Sequence, residues 1–160
     1  MDDDRFQLDP PIHLVVGETG CWRCGASMPV VAILCENVES PEEGPYILSD
    51  TVELPQELMV FIQRRYPTYR LTYSKTVGEK YFANNCPKCG VISGDFYLHS
   101  EPGAPFFPTD ADEAASLTIE TIPIDHSCFA RTGCGYGPGE LILQYARRNL
   151  RTSAPNADDP

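Results

Sequence analysis

Two five-residue stretches constrain this chain more than any other feature: Cys21-Trp22-Arg23-Cys24-Gly25 and Cys86-Pro87-Lys88-Cys89-Gly90. Each is a C-x-x-C-G, and together they supply four sulfurs, a full tetrahedral set for an ion such as Zn²⁺. Two cysteines three residues apart reach one ion only if the chain between them turns tightly. The glycine after each pair fits such a turn, because without a Cβ it enters left-handed backbone at little cost. Backbone N–H groups around the turn can then hydrogen-bond the sulfurs and favour the thiolate form. Redox dithiols share the spacing, but they open a helix within a βαβ unit, and Gly25-Ala26-Ser27-Met28-Pro29 is a poor helix start. Two copies, each with its glycine, point to one metal ion held by Cys21, Cys24, Cys86 and Cys89.

The stretches CWRCG and CPKCG resemble the paired knuckles of zinc ribbons. They are also similar to the iron site of rubredoxins, whose second half is commonly C-P-x-C-G. The first resemblance implies a structural Zn²⁺, and zinc ribbons are often found in nucleic-acid machinery; the second implies one-electron transfer by iron. Residues 25 to 85 put 61 residues between the half-sites, far more than a compact ribbon or rubredoxin uses, which weighs against an electron-transfer centre. The metal itself tolerates the excursion. Doubling a flexible loop costs only about 0.6 kcal/mol of closure entropy, whereas a structural zinc supplies on the order of 10 kcal/mol. A catalytic zinc keeps one position open for water, and four cysteines leave none. The chain also has no G-x-S-x-G, P-loop, H-E-x-x-H or G-x-G-x-x-G, so the common enzyme signatures are missing.

Seven cysteines in a chain that opens Met1-Asp2-Asp3-Asp4, with no basic and apolar leader, suggest a reducing, cytoplasmic setting with metal binding rather than a disulfide framework. No run of about 18 apolar residues is present, so no membrane span is expected. The net charge of −11 argues against broad binding to phosphate backbones, whose affinity comes from many cationic contacts. A protein partner is the expectation.

The residue pattern predicts an α+β domain: an antiparallel sheet with a few short helices around the four-cysteine site, the knuckles being separated by a long insertion. Residues 1–10 read as a mobile acidic leader, 11–150 as the single zinc-binding domain and 151–160 as a disordered tail. Ile12 to Val16 reads as a strand carrying a packed or surface His13. The run Val30-Val31-Ala32-Ile33-Leu34-Cys35 is short enough for a buried strand, with Cys35 a small core residue. Pro55 to Arg65 has proline at its start, an acid in the first turn and Arg64 and Arg65 in the last, so it reads as a helix ended by Pro67. Strands are expected over Tyr69 to Val77, Gly94 to His99 and Leu117 to Ile124. Helices are expected at Asp110 to Ala115 and Glu140 to Leu150.

Between Ile62 and Gly90 stand six basic residues against one acid. Helix-end chemistry accounts for much of that cluster. The remainder suggests a contact strip of Arg64, Arg65, Tyr66, Tyr69, Arg70 and Tyr73, with Lys75 and Lys88 nearby, suited to a protein or, alternatively, to single-stranded nucleic acid stacked between cations. Phe106 and Phe107 lie in a Pro/Gly-rich loop, either folded back as a lid on the core or exposed as an anchor for a partner. His126, Cys128 and Cys134 sit in a glycine-rich loop without metal-ligand spacing; two free cysteines near a turn are the default, a second metal the alternative.

Overall fold

The computed structural model describes residues 5–38, 45–135 and 137–148. Its strands are β1 (Arg5–Gly20), β2 (Ser27–Val38), β3 (Tyr46–Glu53), β4 (Tyr69–Ser74), β5 (Glu79–Asn85), β6 (Ile92–Ser93), β7 (Thr118–Ile122), β8 (Cys128–Gly135) and β9 (Arg147–Arg148). The helices are α1 (Gln56–Arg65), α2 (Asp95–Ser100), α3 (Ala111–Ala115) and α4 (Gly137–Tyr145).

A long hairpin dominates. Strands β1 and β2 run antiparallel from Gly20↔Ser27 at the turn to Leu8↔Val38, with a register shift between Asp9 and Ile12. The shift falls on Pro10-Pro11, where the missing N–H groups cannot join a regular ladder. Either side of it, β1 uses its other edge differently: Ile12–Val16 pairs with β7 and Arg5–Leu8 pairs with β8. Strand β3 bridges β2 and β8, so β1, β2, β3 and β8 close into a four-stranded barrel, with β7 and β9 extending the sheet. The remaining strands form a separate sheet in the order β4-β5-β6.

Strand β2 explains its own sequence. Val31, Ile33 and Cys35 point into one core with Leu14, Leu58, Ile62, Tyr69 and Phe82. Val30, Ala32 and Leu34 point into a second core with Val15, Leu98, Phe106, Ile119 and Ile142. A strand buried on both faces has no polar face to alternate, hence the unbroken apolar run. Helix α1 covers the first core through Leu58 and Ile62, one turn apart. At α3 the Asp110 carboxylate accepts from Glu113 N–H at 2.9 Å while the Glu113 carboxylate accepts from Thr109 N–H at 2.7 Å, a reciprocal cap.

The expected balanced α+β domain is corrected: among the described residues the protein is mostly β, 47% strand and 22% helix, built on a closed barrel. The difference lies in segments whose local chemistry masks their pairing. Arg5–Pro10, read as leader, is strand held by β8. Of the glycine-rich stretch 125–139 read as a loop, Cys128–Gly135 is β8 and Gly137 onward belongs to α4. A Cβ on Gly133 would lie 3.2 Å from the Ser49 carbonyl oxygen, so glycine there serves close strand approach rather than a turn. Gly94 to His99, read as an outgoing strand, instead enters helix α2 (Asp95–Ser100), which buries Asp95 and Leu98 at helical spacing and leaves Phe96 and Tyr97 outside. Arg147 and Arg148 leave the closing helix and pair with β7. The expectations for residues 1–4 and 151–160 lie outside the described residues.

Buried polar groups tie the layers together. His13 places Nε2 2.7 Å from Glu36 Oε2 and Nδ1 3.0 Å from Thr121 Oγ1, linking three strands. Asn84 of β5 uses its amide as a strand would: Oδ1 accepts from Val31 N–H at 2.9 Å and Nδ2 donates to Val31 O at 3.1 Å. At the start of α2, the buried Asp95 carboxylate accepts from Asp50 N–H at 2.8 Å, and Tyr81 Oη lies 3.2 Å from the backbone nitrogen of Asp95. Asp50 is turned towards it by left-handed backbone, φ +52°. Burial pushes Asp95 up to about 7, against the opposing Asp50 N–H, and burial brings His99, whose Nε2 is 4.0 Å away, down to about 4.

Two outcomes are expected. Asn84→Ala leaves two buried backbone groups of Val31 unpaired and should lower stability by about 2–4 kcal/mol in chemical denaturation. Asp95 holds a proton in the folded protein that the unfolded chain releases near 3.8, so its contribution is full at low pH and is lost as pH rises towards about 7. The stability of the parent protein minus that of Asp95→Asn should therefore decrease across that window; a difference that rises or stays flat contradicts the assignment.

Candidate metal centre

Each knuckle caps a pair of strands, the first between β1 and β2 and the second between β5 and β6. Both are folded by the same backbone bonds. Cys21 N–H donates to Ala26 O at 2.8 Å and Gly25 N–H to Cys21 O at 2.9 Å; Cys86 N–H donates to Val91 O at 2.8 Å and Gly90 N–H to Cys86 O at 2.9 Å. The two glycines adopt φ of +78° and +84°, the left-handed conformation that the turn requires. In both, the first cysteine's sulfur accepts two N–H groups: Cys21 Sγ from Arg23 and Cys24 at 3.4 and 3.5 Å, Cys86 Sγ from Lys88 and Cys89 at 3.4 and 3.5 Å.

This brings the sulfurs of Cys21, Cys24, Cys86 and Cys89 within 4.8 Å of one another. Across the knuckles, Cys21 and Cys89 are 3.5 Å apart and Cys24 and Cys86 are 3.7 Å apart. A tetrahedron with metal–sulfur bonds of about 2.3 Å has sulfur–sulfur edges of about 3.8 Å, so the spacing fits a four-coordinate ion. A disulfide would need about 2.05 Å, and all four are free thiols. Cys21 and Cys86 are buried, Cys89 is half-buried and Cys24 faces solvent.

The electrostatics of the cluster favour a cation. The N–H of Cys89, followed by that of Lys88, outweighs burial and holds the Cys86 thiol down at about 6. The Cys24 N–H does the same in direction for Cys21. At Cys89 a favourable Val91 N–H is outweighed by burial and by the sulfurs of Cys21, Cys24 and Cys86, and the thiol is pushed up to about 11. Four sulfurs this close cannot all carry charge unaided; a divalent ion removes the conflict.

The other residues singled out from the sequence do not converge on one surface. Arg64, Arg70 and Tyr73 are exposed. Arg65 is committed to the buried Glu120 at 3.2 Å and lies 3.9 Å over the Phe61 ring. Tyr66 is half-buried against the core, and Tyr69 is buried and stacked on Phe82. Phe106 is fully buried beside His99, and Phe107 is half-buried. Of the two readings of that loop, the lid holds for Phe106, because its N–H donates to Leu98 O at 3.0 Å and folds the loop onto α2. Tyr69 and Phe106 thus leave the set of contact residues. His126 is engaged with Glu57 at 3.0 Å, Cys128 is half-buried, and the side chain of Cys134 lies outside the described residues. Among the described residues, the four cysteines are the group of metal-ligating side chains close enough to share an ion.

Sequence reasoning missed two residues beside the centre. Trp22 stands between two of the clustered cysteines at a hairpin tip, and its Nε1–H donates to Ile92 O of β6 at 2.8 Å. Asn84, two residues before a knuckle, reaches back to β2. Comparison of the chain with family models, with curated proteins and with solved structures returns no match. The likeness to zinc ribbons rests on the knuckles.

The purified protein should contain one divalent ion per chain, measured by elemental analysis, with four thiols that react with a thiol reagent only after chelation. Substituting Co²⁺ should produce the visible absorption of a tetrahedral thiolate site.

Proposed function

We propose that the chain is a non-enzymatic zinc-binding protein, with one structural Zn²⁺ held by Cys21, Cys24, Cys86 and Cys89, and that it works as a protein-interaction module. The observation carrying this reading is the origin of the ligands. One pair comes from the tip of the barrel hairpin and the other from the small sheet. An ion between them fastens two sheets that share no strand pairing, which is the work of a structural metal. Four sulfur ligands leave no position for water or substrate. The long excursion between the knuckles favours zinc over an iron electron-transfer site. The free thiols suit a reducing, cytoplasmic setting, and the charge of −11 favours a protein over a nucleic acid as partner. Among the described residues, no helix is long and apolar enough to cross a membrane.

Chelation tests the reading. Removal of the ion should lower the melting temperature and raise amide exchange in β4, β5, β6 and the β1–β2 tip well above that in the barrel strands. Cys86→Ser should reproduce the loss of stability or prevent folding. A red protein carrying one iron would replace zinc with electron transfer, and an unchanged melting curve after complete metal removal would end the structural role.

A further inference from the structure

Strand β4 ends the small sheet: β5 lies along one of its edges, and among the described residues no strand lies along the other. The hydrogen-bond pattern fixes which residues use that open edge. Asn85 N–H donates to Thr68 O at 3.0 Å, and in an antiparallel ladder bonded and non-bonded pairs alternate. The register runs without a break from Tyr69 opposite Asn84 to Ser74 opposite Glu79. The N–H and C=O groups of Arg70, Thr72 and Ser74 therefore turn towards β5, and those of Tyr69, Leu71 and Tyr73 turn away. The groups of Tyr69 are already used, its N–H by Tyr66 O and its carbonyl by the Gln63 amide, both at 3.0 Å. Leu71 and Tyr73 remain as the backbone of an open edge.

Their side chains are open as well: Leu71 is 46% exposed, Tyr73 55% and Val77, in the following turn, 50%. Leu71 and Tyr73 share the face on which Tyr69 stacks on Phe82, so they continue a core-facing row past the point where the core covers it. Neither a proline nor a bulge, two devices that keep edge strands from pairing, interrupts β4. A second copy of the strand is its own complement. Antiparallel pairing about a two-fold axis through Thr72 sets Leu71 against Tyr73 of the other copy twice, so every outward group of both residues is bonded and the exposed apolar side chains cover each other. An axis through Leu71 would set Tyr73 against the occupied Tyr69, an axis through Tyr73 would set Leu71 against Lys75 in the turn, and an axis between residues would oppose outward groups to inward ones. In the Thr72 register Arg70 meets Ser74, which lies beside Glu79, and Lys75 meets Tyr69, so no like charges face each other.

From these observations we infer that β4 is a self-association edge, at which two copies of the chain pair antiparallel about Thr72 and join their small sheets into one continuous sheet. This goes beyond the interaction role proposed above and requires only that β4 and β5 are folded. Sedimentation of the metal-loaded full chain should show a monomer–dimer equilibrium over micromolar to millimolar concentrations. Leu71→Pro removes an outward N–H while leaving the ladder to β5 whole, and it should weaken the dimer by roughly tenfold or more. Leu71→Lys should weaken it too, whereas Val60→Lys, at an exposed apolar position on α1, should not. The two Thr72 residues form a non-bonded pair with Cα atoms about 4.5 Å apart, within disulfide reach. Thr72→Cys should therefore link copy to copy on mild oxidation, and Val77→Cys should not. Metal content and melting temperature of each variant are compared with the parent, so that a lost dimer is distinguished from a lost fold or a lost ion. A chain that stays monomeric throughout, a dimer indifferent to both Leu71 substitutions, or a dimer that Thr72→Cys fails to cross-link would each overturn the proposal.

Discussion

Four sulfurs from two sheets crowd to within 4.8 Å of one another, and the surrounding architecture follows from making that crowding tolerable. Backbone N–H groups absorb part of the charge, and they are available because both knuckles turn the same way around a left-handed glycine. The turns themselves need strands to anchor them: a long barrel hairpin for one, a compact sheet for the other. Neither half assembles the cluster alone. The cluster therefore reads as a joint between two sheets that share no strand pairing.

Side chains reinforce the joint. Asn84 hydrogen-bonds the backbone of Val31 on one side, and the Trp22 indole reaches Ile92 on the other. Packing adds to this, since Tyr69 and Phe82 of the small sheet enter the barrel-side core with Leu58 and Ile62 of α1. An ion at the sulfurs would lock a contact that hydrogen bonds and apolar burial already define, which costs less than ordering two loose segments around a metal.

The candidate site was legible in the sequence because ligand chemistry is local: each C-x-x-C-G carries its spacing, its turn and its glycine within five residues. Helix α1 was legible for the same reason, with its start, stop and buried face in one window. The barrel was not. Its closure depends on Arg5–Leu8 meeting Cys128–Arg131, more than a hundred residues apart, through segments that look like an acidic leader and a glycine-rich loop. Helix α2 misled in the opposite sense. Phe96 and Leu98 alternate as in a strand, while the burial of Asp95, three residues before Leu98, becomes intelligible only once Asp50 and Tyr81 are in place. Phe106 belongs to the same class: its burial is decided by a loop closing on Leu98, not by its neighbours in sequence.

The uneven burial of the four sulfurs gives the centre a direction. Cys21 and Cys86 lie deep, each with two N–H donors, while Cys24 is the corner open to solvent. Were an ion held there, a competing thiol or chelator would meet that corner first, and exchange would begin at the hairpin tip and proceed inward. Loss would then be sequential, with the tip letting go while the deeper sulfurs still hold. A metal so placed would leave through one doorway without first taking the layers apart.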